Sequence, residues 1–237
     1  MKLDQQTIKK ILQKEDPVIL ELGAHTGDDT KKFLEEFRDI KIYCFEPDPR
    51  CIKRFKDFIK DDRCVLIEAA VSNENGTVTL NMSSGWPPDM IPVWYRRLGL
   101  TKVYMFFKKI EWDSSSSIKD SISNPKDYPW LTFNKKVKVP TLKLDSWIKE
   151  NNIKTIDFIW SDIQGAEKDM IEGAGDALRI SRYLYTEYGE LSPYIGALTR
   201  EDTIVLLQKN GFELIPEFSS FSDEKIGNLL FSNKNLL

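Results

Sequence analysis

The feature that most narrows the fold is an alternation. Short apolar runs at Val18–Leu22, Lys41–Phe45 and residues 64–68 are separated by stretches with apolar residues at helical spacing. Phe33, Leu34 and Phe37 mark one such stretch, over 28–37. Ile52, Phe55, Phe58 and Ile59 mark the next, over 49–59. Strand-helix-strand-helix-strand order implies parallel strands joined by right-handed crossovers. The pattern resumes with strands at 137–139, 156–160, 183–187, 212–216 and 228–232, and helices at 144–150, 166–177 and 201–210. An amphipathic helix over 5–14 precedes it all, ended by Pro17. Asn75-Gly76 reads as a turn into an edge strand at 77–80. The expectation is α/β: a doubly wound, Rossmann-like sheet. We read residues 1–237 as one domain, with an N-terminal helix in 1–16 and an insertion at 82–136.

At 237 residues and 41% hydrophobic, the chain is long enough to bury a full core. No apolar run approaches the ~18 residues that span a bilayer, and the N-terminus lacks the apolar stretch of a secretory signal. Three cysteines without metal-ligand spacing fit a reducing cytoplasm, and a single histidine excludes sites needing two. The net charge of −3 is unevenly spread. Residues 82–136 hold nine Lys/Arg against five Asp/Glu, ten of the 27 aromatics and five of the eleven prolines. That segment is +4, so the remainder is −7. Trp86, Trp94, Tyr95, Trp112, Tyr128 and Trp130 suit stacking on sugar rings, with Arg96, Arg97, Lys108 and Lys109 available to an anionic glycan. A lid or homodimer contact is the other use of such a segment. A pI near 5.5 is far from a nucleic-acid footprint.

Four strand-end motifs carry the chemistry. Glu21-Leu-Gly23-Ala24-His25-Thr-Gly27 follows the first strand and opens a helix, where glycines allow close backbone approach and the helix terminus favours an anion. Its spacing is not Gly-x-Gly-x-x-Gly, which disfavours a dinucleotide. Glu46, before Pro47 and 23 residues after Gly23, is placed to accept ribose hydroxyls. Together these suit an adenosine carrying an amino-acid tail, namely S-adenosylmethionine. Asp162 ends a central strand, as a site carboxylate or a helix cap, and Glu167 follows in the first helical turn. Thr186-Glu187-Tyr188 ends the next strand; Glu187 is a site carboxylate or a loop residue. No Asp/Asn-Pro-Pro-Tyr/Phe string of amino-directed DNA methyltransferases stands near Asp162.

In this order, these segments resemble the FkbM family of S-adenosylmethionine-dependent methyltransferases. So do Ala69-Ala70-Val71-Ser72 with Gly76, Val139-Pro-Thr-Leu142 with Leu144-Asp145, Asp162-Ile-Gln-Gly165-Ala-Glu167, and Gly211-Phe212. Ser114–Ser117 resembles the family's serine-rich stretch. The resemblance implies a seven-stranded sheet whose last strand is antiparallel, and O-methylation, often of sugars in glycans or glycosylated metabolites. It implies that Glu21, Gly23 and Gly27 line the methionine end of the cofactor, that Glu46 holds the ribose, and that Ala69 and Ala70 flank the adenine. Asp162 would sit near sulfonium and acceptor, with Ala24, His25, Thr30 and Pro47 completing the cofactor set. Two positions depart: His25 stands where Asn is common, and Trp160-Ser161 where Leu-Lys is common.

A sugar hydroxyl needs a base or a metal to attack at neutral pH. Asp162 is the first candidate base, with Glu187 beside it. His25 has a suitable pKa, though its place in the glycine turn suits a cofactor contact as well. Asp162, Glu187 and Glu167 would offer oxygen ligands to Mg²⁺ or Ca²⁺. The alternatives are an RNA 2′-O-methyltransferase and a non-catalytic adenosylmethionine-binding module.

Overall fold

A computed structural model describes residues 3–87, 90–101, 103–104, 112–121, 128–190, 192–220 and 225–236. In chain order the elements are α1 (Gln5–Leu12), β1 (Val18–Leu22), α2 (Asp28–Glu36), β2 (Lys41–Phe45), α3 (Pro49–Phe58), β3 (Cys64–Ile67), β4 (Ala70–Val71), β5 (Gly76–Gly85), α4 (Val93–Arg97), β6 (Leu131–Leu142), α5 (Leu144–Glu150), β7 (Ile156–Ser161), α6 (Glu167–Ala174), α7 (Asp176–Arg179), β8 (Ser181–Gly189), α8 (Arg200–Lys209), β9 (Phe212–Ile215) and β10 (Ile226–Asn233).

Seven strands form the main sheet in the order β3-β2-β1-β7-β8-β10-β9. β10 runs antiparallel to both neighbours, as expected, and the pairs among β3, β2, β1, β7 and β8 are parallel. One face packs on α1–α3 through Ile8, Phe33, Phe37 and Phe55. The other packs on α5–α8 through Trp147, Met170, Leu178 and Leu207. Burial on both faces explains why β1 reads as an apolar run interrupted only by Glu21.

The local chemistry of the ends follows the sequence. Asp4 accepts from Thr7 N and caps α1, which stops two residues before the expected end because Gln13 turns left-handed. Asp48 caps α3 by accepting from Arg50 N, with Pro49 in the first turn. The helix read over 166–177 is two helices. Gly175 breaks it at φ +48°, and a Cβ there would lie 2.7 Å from Asp145 Oδ1.

The segment at 82–136 needs a firmer correction. β5 extends to Gly85 and β6 begins at Leu131, and the two pair antiparallel. With β4 they form a separate three-stranded sheet, with β5 at its edge. The compositional segment therefore begins and ends inside strands. Lys102, Lys108, Lys109 and Lys126 lie outside the described residues. Among the described residues, no helix is long and apolar enough to cross a membrane.

Candidate active site

Strand register builds the site. Leu22 on β1 pairs with Phe45 on β2 and Ser161 on β7, and Ser161 pairs with Thr186 on β8. The next residues are Gly23, Glu46, Asp162 and Glu187. One glycine and three carboxyls thus stand in a row across the carboxyl edge of the sheet, where ligands bind in open α/β folds. The strands bring β1 and β7 close here: Asp162 N donates to Leu22 O at 2.9 Å. A Cβ on Gly23, which sits at φ +84°, would lie 1.9 Å from Asp162 O, so only glycine fits.

A cavity of about 260 Å³ follows this row. Of the expected cofactor residues, Glu21, Gly23, Ala24, His25, Glu46, Pro47, Ala69, Ala70 and Asp162 line it. Gly27 and Thr30 do not. Gly27, at φ +92°, begins α2 and packs toward Ile59 and Phe55. Thr30 Oγ1 donates to Glu21 Oε2 at 2.6 Å, so it acts through Glu21. Burial pushes Glu21 up to about 8 against the bonds from Thr30 and Cys44. Glu46 is buried; its carboxyl accepts from His25 N at 2.8 Å and Asp48 N at 2.7 Å, and burial still pushes it up to about 7.

These residues suit S-adenosylmethionine. Ala69, Ala70, Leu80 and Ile118 give an apolar slot, and Glu46 lines the same cavity. Glu21, Asp28 and Asp29 offer carboxyls for a cationic amino-acid tail, while α2 starts without a side-chain cap. Trp160, at a position that departs from the family pattern, is a wall of this cavity, wedged between Phe33 and Tyr185 at 5.7 and 4.7 Å between ring centroids.

His25 is turned toward the protein. Its backbone is left-handed, its Nε2 lies 2.7 Å from Asp113 Oδ1, and its Nδ1 is 3.4 Å from Thr26 Oγ1. Burial alone would lower its pKa, but the Asp113 and Glu46 carboxyls outweigh that and raise it. Arg54 also donates to Asp113. The ring therefore clamps the segment after β5 onto the cofactor turn instead of presenting a free base. The serine run sits here too. Ser114, Ser116 and Ser117 line the cofactor cavity, Ser116 Oγ donates to Asp48 at 2.8 Å, and Ser117 Oγ donates to Gln164 O at 2.6 Å. Sequence reasoning had not assigned Asp113, Gln164 or Asp29; only the acidic first turn of α2 pointed to the last.

Asp162 lines the cavity and is exposed to it. The protein around that cavity still desolvates its carboxyl and raises its pKa, against a 2.6 Å bond from Gln164 Nε2. Gln164, left-handed at φ +54°, partitions this cavity from a second of about 430 Å³. Glu167 and Glu187 line that second cavity, not the first, with Trp112, Tyr128, Trp130 and Tyr194. Burial pushes Glu167 up to about 7, and burial with the neighbouring Asp162 and Glu167 charges pushes Glu187 well up.

The expected metal set does not converge as one cluster. Asp162 and the two glutamates face different cavities. Among the described residues, the group whose ligand atoms lie within 4.8 Å of one another is His25, Cys51 and Asp113. Arg54 donates to both Cys51 and Asp113, placing a positive charge where an ion would sit.

The family model for the methyltransferase FkbM domain matches residues 21–214. The 2-O-methyltransferase NoeI of Sinorhizobium fredii (strain NBRC 101917 / NGR234) is 35% identical over 219 residues, which is 92% of this chain and 81% of that protein. Among solved structures, EvdMO1 superposes with a TM-score of 0.50 at 12% identity, over 97% of this chain. The chain spans only 39% of that one, and the likeness is one of fold.

Proposed function

The chain belongs to the FkbM-domain methyltransferases and is an S-adenosylmethionine-dependent O-methyltransferase, and on that premise we propose that its acceptor is a hydroxyl of a sugar in a glycan or glycosylated metabolite. The observation that carries this reading is the pairing of two cavities across Gln164. One is lined by the cofactor motifs and Asp162, the other by aromatic rings and carboxyls. Aromatic faces beside hydrogen-bonding carboxyls suit the apolar faces and hydroxyls of a pyranose. The NoeI name, a 2-O-methyltransferase, supports a hydroxyl acceptor.

When bound, the cofactor supplies an activated methyl group on a sulfonium. The protein's work is alignment and proton removal. We assign the base role to Asp162, held by Gln164 Nε2 at 2.6 Å and open to the cofactor cavity. It would take the proton of the attacking hydroxyl as the methyl passes to that oxygen, the carbon–sulfur bond breaking and its electron pair staying on sulfur. Its raised pKa makes it a stronger base than an aspartate of ordinary pKa. Glu46 would hold the ribose, and Glu21 would meet the amino-acid end through the carboxyl that Thr30 orients.

A tritium-transfer screen from labelled cofactor over neutral sugars, anionic sugars and RNA tests the acceptor class. Label in the sugar fraction is expected; label in RNA alone would refute the reading. Dialysis against EDTA is expected to leave turnover within about twofold, because proton removal by Asp162 needs no ion. A loss restored by Mg²⁺ would instead revive the carboxylates as metal ligands.

A further inference from the structure

The second cavity bears on which sugars are taken. Trp130 stands between Trp112, at 5.3 Å and 83° between rings, and Tyr128, at 6.3 Å and 88°. Trp112 is fixed by its indole N–H, which donates to Ser115 Oγ at 2.8 Å. Tyr194 Oη lies 2.8 Å from Gln164 Oε1 and 2.7 Å from Ser115 O, joining this wall to the partition. Glu187 faces the cavity, and no described group hydrogen-bonds its carboxyl. Glu167 is 3% exposed and accepts a bond of 3.4 Å from Gly165 N, one of several backbone amides that face it. Among the described residues, no lysine or arginine lines either cavity. Arg96 and Arg97 are exposed on α4, away from both linings, and Lys119 is paired with Asp169 at 2.9 Å.

We infer that this cavity is the acceptor subsite, and that it takes an uncharged pyranose, with its ring against Trp112 and Trp130 and adjacent hydroxyls on Glu167 and Glu187. The inference rests on the sugar reading of the acceptor. It replaces the anionic glycan expected from the +4 segment, because the described lining of this cavity offers a carboxylate- or phosphate-bearing ring no cation to pair with. Burial raises the pKa of both carboxyls, Glu167 to about 7, so a protonated carboxyl there can donate to a hydroxyl and an ionised one accept from it. Gln164 then sets the distance between the seated ring and the methyl donor.

The test uses the whole chain with S-adenosylhomocysteine present. The probes are methyl pyranosides of neutral hexoses and 6-deoxyhexoses, alongside glucuronate and a hexose 6-phosphate. Binding is read by saturation-transfer NMR and turnover by tritium transfer. Neutral pyranosides are expected to bind and the two anionic sugars to bind at least about tenfold more weakly. Trp130→Ala and Glu187→Ala are each expected to raise acceptor KM about tenfold or more. Glu187→Gln should recover part of that loss, with S-adenosylhomocysteine affinity within about twofold throughout. Preference for the anionic sugars overturns the inference, as does unchanged sugar binding in Trp130→Ala and Glu187→Ala. If the wild-type chain methylates no sugar, the reading of function fails. NMR binding that Trp130→Ala abolishes would still support the subsite, and absence of binding would overturn it.

Discussion

At Gly23 backbone conformation and site assembly are one requirement. The residue is left-handed, and its missing side chain lets β1 meet Asp162 O. Gly23→Ala is expected to destabilise the fold by at least ~1–3 kcal/mol, read by urea denaturation, and to abolish cofactor binding. Asp162→Asn should behave differently. It keeps the shape and removes the base, so turnover falls ~10²–10⁴-fold while cofactor binding holds within a few-fold. Unchanged turnover would remove Asp162 from the role. Glu46→Ala should weaken cofactor binding ~10–100-fold by calorimetry, since two ribose hydroxyls lose their acceptor. Gly23, Glu46 and Asp162 were legible because strand ends advertise themselves: an apolar run stops at a glycine or an acid. Gln164 was not. Its importance lies in a left-handed backbone and two tertiary bonds, from Tyr194 and Ser117, which hold it beside Asp162 and which no local pattern encodes.

At the scale of elements, the serine run after β5 is held by a charge clamp of His25, Asp113 and Arg54. Two pKa directions set its working range. Asp113 is partly buried, which raises its pKa, but His25 and Arg54 outweigh this and lower it, so its contribution is lost as pH falls through the folded value. His25 is raised, so its contribution is complete below the ordinary value of 6.5 and lost as pH rises through the folded one. Hydrogen exchange at the Ser115 and Ser117 amides, corrected for intrinsic rate, should be slowest between these limits. Asp113→Asn should abolish the loss at the alkaline end; a persistent loss would assign it to another group. The parallel strands and their helices were readable from periodicity alone. The β4-β6-β5 sheet was not, since its long strands carry mixed, half-exposed residues whose partner is a distant hairpin arm. Nor was the break at Gly175, which depends on Asp145 accepting from Asp176 N at 2.9 Å.

Across the whole molecule, the site places several carboxyls in poorly hydrated positions. Glu21 sits near 8, and Glu46 and Glu167 near 7, against an ordinary 4.5. The folded chain therefore binds more protons than the unfolded one between these values. Stability is fullest below about 4.5 as far as these groups are concerned and falls as pH rises toward 8. The ligand-free Tm should drop across that window, and Glu167→Gln should flatten the drop. S-adenosylmethionine at ~100 times its Kd should add about 2.7 kcal/mol and offset much of it. A Tm that climbs from pH 5 to 8 would contradict these assignments.

The row of strand-end residues has an evolutionary reading. Its spacing belongs to the backbone ladder, so inserting one residue within β7 would swing Asp162 to the opposite face. Residues 86–130 leave the small sheet at β5 and rejoin it at β6, and only the run Asp113–Ser117 among them is tied to the cofactor turn. Exchanging the rest of that stretch, with the Asp113–Ser117 run kept, is expected to alter which molecule is gripped while the methyl-donor contacts stay in place. Transplanting those outer residues between relatives is the route to re-targeting that this plan offers.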